Sequence, residues 1–214
     1  MERKDILNWP NRLSMLRIVL IAPFVWCLIN LQDPEWGLWA RRGALIVFAL
    51  MSLTDGIDGF LARRFNQQTE LGRFMDPVAD KLLVTCAMIL LGIDYTAVPH
   101  FKIPNWVVIC AIGKDLFVVL GFVILFLVTR HIFIRPGWAG KICTLSQMIL
   151  VVVTLLGPDL LHLTPMGPTS VAALLWFLWV ASAILAMLTC WQYFRRGVVF
   201  AHSSEEEQAR LASY

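Results

Sequence analysis

Residues 55–80 read DGIDGFLARRFNQQTELGRFMDPVAD, and the four aspartates in this stretch, Asp55, Asp58, Asp76 and Asp80, decide how the chain is read. Asp55 and Asp58 are three residues apart, and Gly59 and Ala62 continue the same helical face. Asp76 and Asp80 are four apart, with Gly72 one turn before them. Residues three or four apart are neighbours on a helix surface, so each pair presents two carboxylates in one direction. Their surroundings are apolar, where unpaired charge is prohibitively costly. The spacing therefore calls for positive charge among the four acids. Oxygen-rich acidic clusters suit hard divalent cations, and two such ions, Mg²⁺ or Mn²⁺, would neutralise Asp55, Asp58, Asp76 and Asp80.

The rest of the chain is read outward from this stretch. Of 214 residues, 58% are hydrophobic and only 15% charged, and the mean hydropathy is +0.70. That composition is too apolar for a solvated surface and indicates a polytopic membrane protein. The net charge of +3 gives no clustered basic face, so nucleic acid is not an expected partner. The five cysteines (Cys27, Cys86, Cys110, Cys143, Cys190) stand singly in apolar runs and read as small buried hydrophobes.

Crossing the hydrocarbon takes roughly 20 apolar residues. Six such segments are expected, over 13–31, 39–63, 71–93, 105–128, 138–156 and 170–194, which gives an all-α six-transmembrane-helix bundle. One membrane domain covers 1–214, with an interfacial segment possible within 1–12 and a polar tail over 196–214. The start has acidic residues and a proline before its apolar run, which suits a retained first span better than a cleaved signal. With the N-terminus inside, twelve Lys and Arg fall in inner segments against three (Arg41, Arg42, Lys102) in outer ones. The positive-inside rule then puts both termini in the cytoplasm. Trp9, Trp36, Trp39, Trp106, Trp138 and Trp191 lie near span ends, while Trp26, Trp176 and Trp179 are expected to pack inside. The second and third spans are antiparallel, and their carboxylates would share one pocket open to the cytoplasm.

The pattern D-x2-D-G-x2-A-R-x8-G-x3-D-x3-D is filled at all eight positions by Asp55, Asp58, Gly59, Ala62, Arg63, Gly72, Asp76 and Asp80. It resembles the signature of the CDP-alcohol phosphotransferase family. The resemblance implies an enzyme in which Asp55, Asp58 and Asp76 bind metal ions and Asp80 is the base for the acceptor hydroxyl. Asp58, Gly59, Ala62, Arg63 and Gly72 would surround the CDP moiety. The implied reaction is attack by an alcohol on the phosphorus nearest the lipid of a CDP-activated donor, with release of CMP. Family members are commonly homodimers, and the implied location is a bacterial-type inner membrane.

The runs PNRLSMLRIVLIAP and GKICTLSQ look like the phosphatidylglycerophosphate synthase and cardiolipin synthase branches, whose donor is CDP-diacylglycerol. Arg17, Lys114 and Lys141 are the basic residues expected to meet the acceptor. Glycerol 3-phosphate is the first expectation for that acceptor. Phosphatidylglycerol is the alternative, because this chain carries Lys114-Asp115 where phosphatidylglycerophosphate synthases usually have Arg-Glu. The rival from another class is a cation transporter, since membrane carboxylates also mark ion pathways. No internal repeat of the kind transporters show is visible.

Overall fold

The structure is a computed structural model that describes residues 9–65, 70–129, 137–163 and 168–202. These form six helices and no strand: α1 Trp9–Ile29, α2 Gly37–Phe65, α3 Glu70–Gly92, α4 Asn105–Thr129, α5 Trp138–Leu163 and α6 Pro168–His202. Among the described residues, three stretches are long and apolar enough to cross a membrane: Gly37–Thr54, Trp138–Leu161 and Thr169–Val199. Large apolar side chains such as Val19, Ile46, Leu53 and Met187 point outward, more than half exposed. A water-soluble chain rarely leaves so much contiguous apolar surface uncovered. This is a membrane protein.

Packing divides the chain into two compact units, Met1–Ile103 with Val151–Val171, and Pro104–Leu150 with Ala172–Tyr214. In the first, α1 packs on both α2 and α3. Its core is a layer of fully buried residues: Phe24 and Leu28 of α1, Ala44, Phe48 and Met51 of α2, and Leu83, Ala87 and Leu91 of α3. The Phe24 and Phe48 rings meet at 5.7 Å between centroids, tilted by 37°. In lipid such contacts contribute through dispersion and fit, since there is little water to exclude.

Side chains and carbonyls close the connections at one end of this unit. Asp33 accepts backbone N–H groups from Glu35 and Trp36, both at 2.9 Å, through Oδ1 and starts α2. Those two N–H groups hold its carboxylate below the ordinary carboxylate range. Gly37 follows where a Cβ would come within 2.5 Å of the Leu31 carbonyl oxygen, so only glycine fits that turn. Gln32 donates through Nε2 to the carbonyls of Asp94 and Ala97. Lys102 pairs with Asp94 at 2.6 Å, and the Ile103 N–H returns to the Leu91 carbonyl at 3.0 Å.

Three expectations need correction. The fifth helix does not end near residue 156 but runs through Pro158 to Leu163. Proline removes one helical N–H and opens the turn before it. In the same turn the buried Arg41 of α2 donates to the Leu155 carbonyl at 2.9 Å and to Asp159 Oδ1 at 2.8 Å. Arg41 itself is 7% exposed and bonded inside the unit. Gly157 makes room for this arrangement, since a Cβ there would stand 2.5 Å from the Phe101 ring. The sixth helix continues past Arg195 and Arg196 to His202, so the tail begins later than 196. Trp26 and Trp176 face outward rather than inward, each more than half exposed, whereas Trp179 is half-buried. Of the proposed interfacial segment, residues 1–8 lie outside the described residues and Trp9 already belongs to α1.

The cysteines are free thiols, Cys143 buried and the other four half-buried.

Candidate active site

The helical register of the first unit leads from its core to the aspartates. On α2 the buried positions Ala44, Phe48 and Met51 recur at steps of four and three. The next steps along that stripe land on Asp55 and Asp58, then on Gly59 and Ala62. On α3, reading back from Leu91 through Ala87 and Leu83, the stripe reaches Asp80, Asp76 and Gly72. On α1 the stripe through Leu28 and Phe24 reaches Arg17 seven residues earlier. All four aspartates thus fall at positions that continue the helical registers of the α2 and α3 core residues, on two consecutive helices that share α1 as a packing partner. Arg63 falls one position after Ala62, next to that stripe.

The side chains of Arg17 and of residues 55–80 lie outside the described residues, so these are statements of register. The polar side chains immediately before Asp55 are described. Ser52 donates to the Phe48 carbonyl at 2.9 Å, and Thr54 to the carbonyls of Leu50 and Met51, both at 2.9 Å. Both hydroxyls are turned back on their own helix. Lys81, beside Asp80, is exposed. Among the described side chains no three His, Cys, Asp or Glu form a metal-holding group. Carboxylate oxygens, which the four aspartates carry, are the donor type that hard cations take.

The second unit holds two of the expected acceptor residues. Its inner stripes are Val107, Ala111 and Lys114 on α4; Ala139, Cys143, Gln147 and Leu150 on α5; and Leu175, Ser182, Ala186 and Thr189 on α6. Lys114 is therefore a cation on a buried stripe, 5% exposed, paired with its neighbour Asp115 at 3.2 Å. Lys141, by contrast, is exposed on the first turn of α5. The structure places Lys114 and Lys141 in one unit and Arg17 in the other.

Sequence reading missed two residues. Arg41 bonds to Asp159 across 118 positions, a separation no local pattern reveals. Gln147 is 2% exposed, and its Nε2 has no hydrogen-bond partner among the described residues. Its place on the same α5 stripe as Cys143, one turn away, was the available signal.

An all-helical membrane protein with pairs of aspartates three and four residues apart on two consecutive helices is a recognisable class. The family profile of CDP-alcohol phosphatidyltransferases matches residues 7–193, and the chain belongs to that family of phospholipid-synthesis enzymes. A relative from Bacillus subtilis (strain 168), named CDP-diacylglycerol--glycerol-3-phosphate 3-phosphatidyltransferase, is 34% identical over 88% of this chain and 94% of its own length. Relatives of the same name from Escherichia coli (strain K12) and Salmonella choleraesuis (strain SC-B67) are 34% and 33% identical, over 72% of this chain and 79% of theirs.

Proposed function

We propose that this chain transfers a phosphatidyl group from CDP-diacylglycerol to glycerol 3-phosphate and releases CMP. The observation that carries the reading is the run of the α2 and α3 core stripes into the four aspartates. The names of the relatives supply donor and acceptor. In this reading the protein is a six-span bundle of a bacterial inner membrane, with both termini and the aspartates on the cytoplasmic side. The distribution of Lys and Arg supports that orientation.

Asp55, Asp58 and Asp76, with Asp80 beside them, hold divalent cations, Mg²⁺ or Mn²⁺. When bound, such ions neutralise a diphosphate and polarise the phosphorus under attack. Asp58, Gly59, Ala62, Arg63 and Gly72 take the CDP moiety; the small residues let it approach the helices, and the Arg63 guanidinium offers a fork for phosphate. Asp80 accepts the proton of the acceptor hydroxyl. The freed oxygen attacks the phosphorus nearest the lipid, the bond to the CMP oxygen breaks, and CMP leaves with that oxygen. Arg17, Lys114 and Lys141 supply positive charge for the acceptor's phosphate.

The Lys114-Asp115 pair keeps phosphatidylglycerol as the second acceptor to try, because it departs from the Arg-Glu of the glycerol 3-phosphate branch. One experiment separates the readings. Purified protein is given radiolabelled CDP-diacylglycerol and Mn²⁺, with glycerol 3-phosphate or phosphatidylglycerol, and CMP and lipid products are resolved by chromatography. Release of CMP that depends on glycerol 3-phosphate, stops with EDTA and is absent in Asp55→Ala at normal membrane insertion is the expected result. Turnover with phosphatidylglycerol alone reassigns the acceptor, and near-normal release by Asp55→Ala refutes the metal role.

A further inference from the structure

The last turns of α6 set an arginine on an apolar face. The apolar stretch Thr169–Val199 is 31 residues long, about 46 Å of helix against about 30 Å of hydrocarbon. Near its end, Trp191, Phe194, Arg195 and Val198 recur at steps of three and four with Val199 beside them, which makes one helix face. Trp191, Phe194 and Val199 are each more than half exposed, and the Trp191 and Phe194 rings stack with centroids 6.4 Å apart. Arg195 is exposed on this face, with apolar side chains before and after it.

The start of α5 lies against this end of α6, inside the second unit. A Cβ at Gly140 would stand 3.7 Å from Thr189, and one at Gly137 would collide with the Gln192 amide and stand 3.5 Å from Arg196 Nη1. Trp138 and Trp191 adjoin Gly137 and Gln192 in sequence, so two outward tryptophans stand at one level on neighbouring helices. Outward tryptophans at one level mark the headgroup boundary. Arg195 and Arg196 follow Trp191 within about 8 Å along the axis, which brings their guanidinium groups to phosphate depth. Lys141, exposed one turn after Gly137, adds a third positive charge to this end. Among the described residues of this unit the single acid is Asp115, the neighbour and ion-pair partner of Lys114.

An arginine bordered by lipid-facing side chains cannot rest in hydrocarbon, and its planar fork matches phosphate oxygens. We propose that the last turns of α6 dock the headgroup of an anionic phospholipid. Arg195, with Arg196 beside it, takes the phosphate, and Trp191, Phe194, Val198 and Val199 lie against the glycerol and the upper acyl chains. The basic surplus at this end selects anionic over zwitterionic lipid. These residues take no part in the transfer reaction.

The test uses purified full-length protein in detergent, titrated with phosphatidylserine or phosphatidylcholine, neither of which is donor or acceptor in the reading above. Thermal unfolding and native mass spectrometry report binding. Phosphatidylserine raises the melting temperature saturably, as a ligand of the folded state must, and the rise shrinks at high ionic strength. Phosphatidylcholine gives a much smaller rise. Arg195→Gln weakens phosphatidylserine binding about fivefold or more, Arg195→Lys keeps the preference for the anionic lipid, and CMP release at saturating substrates stays that of the wild type in both.

Equal responses to the two lipids overturn the proposal, as does an Arg195→Gln variant that binds phosphatidylserine like the wild type. Inorganic phosphate that reproduces the shift assigns the arginines to a free anion and overturns it too. A wild type indifferent to phosphatidylserine that loses stability when Glu205→Gln, Glu206→Gln and Glu207→Gln are combined gives the arginines to the tail instead. If Arg195→Gln fails to fold, the two lipids compared on the wild type and on Arg195→Lys still decide. A wild type that binds phosphatidylserine as expected but releases no CMP sinks the transfer reading and leaves this one standing.

Discussion

The two units each bury a cation, and they treat it differently. In the first, Arg41 spends its guanidinium on fixed protein groups, the Leu155 carbonyl and the Asp159 carboxylate, in the turn that Pro158 opens. In the second, Lys114 has as its ion-pair partner the adjacent residue of its own helix, and the neighbouring stripes hold donors with nothing to bond. A planar fork matches a rigid set of acceptors, whereas a compact ammonium on a flexible stem suits a partner that comes and goes. The contrast separates a buried charge held by fixed groups distant in sequence from one paired with its own sequence neighbour.

That contrast breaks first at Lys114. Lys114→Met is expected to raise the KM for glycerol 3-phosphate by about a hundredfold, the loss of a charge-assisted bond, with little change in melting temperature. A variant that unfolds while keeping its substrate affinity would place Lys114 with Arg41 as a structural cation. Arg41→Met should do the reverse. It removes the ion pair between Arg41 and Asp159, and because that carboxylate is 31% exposed the cost is moderated by solvent, about 1–3 kcal/mol. Thermal unfolding in detergent reads the loss, while kcat/KM for both substrates at a permissive temperature remains that of the wild type.

The smallest effect concerns a charge that is not buried. Asp33 has its folded pKa lowered by the N–H groups of Trp36 and Glu35. Its stabilising contribution is therefore present above the unfolded carboxylate value of about 4 and disappears as pH falls through the lowered folded value. Asp33→Asn retains an acceptor oxygen and cannot titrate, so its melting temperature should lack the small acid-side decline of the wild type. Parallel melting curves on acidification would show that the Asp33 charge adds nothing.

The helices were legible because apolar length and polar breaks coincide with their ends to within a few residues for α2, α3 and α4. The aspartate pattern was legible for a related reason: steps of three and four are visible without coordinates, and they match the stripes through Phe48 and Met51 and through Leu83 and Ala87. The continuation of α5 was not, because a proline removes one helical N–H without by itself ending the helix, as Pro23 inside α1 also shows. Trp26 and Trp176 were misread because depth in a span does not say which way a ring faces. Gln147 closes the quoted run GKICTLSQ, but that its amide lacks a partner among the described residues is a property of its surroundings, which only packing reveals.

The ties that close the first unit, from Gln32, Arg41 and Lys102, gather where α2 begins and α3 ends. The aspartates sit toward the other ends of those two helices. Arg41 and Asp55 are separated by about 21 Å of helix. The fastened end is thus held by side chains that come together from residues far apart in the sequence.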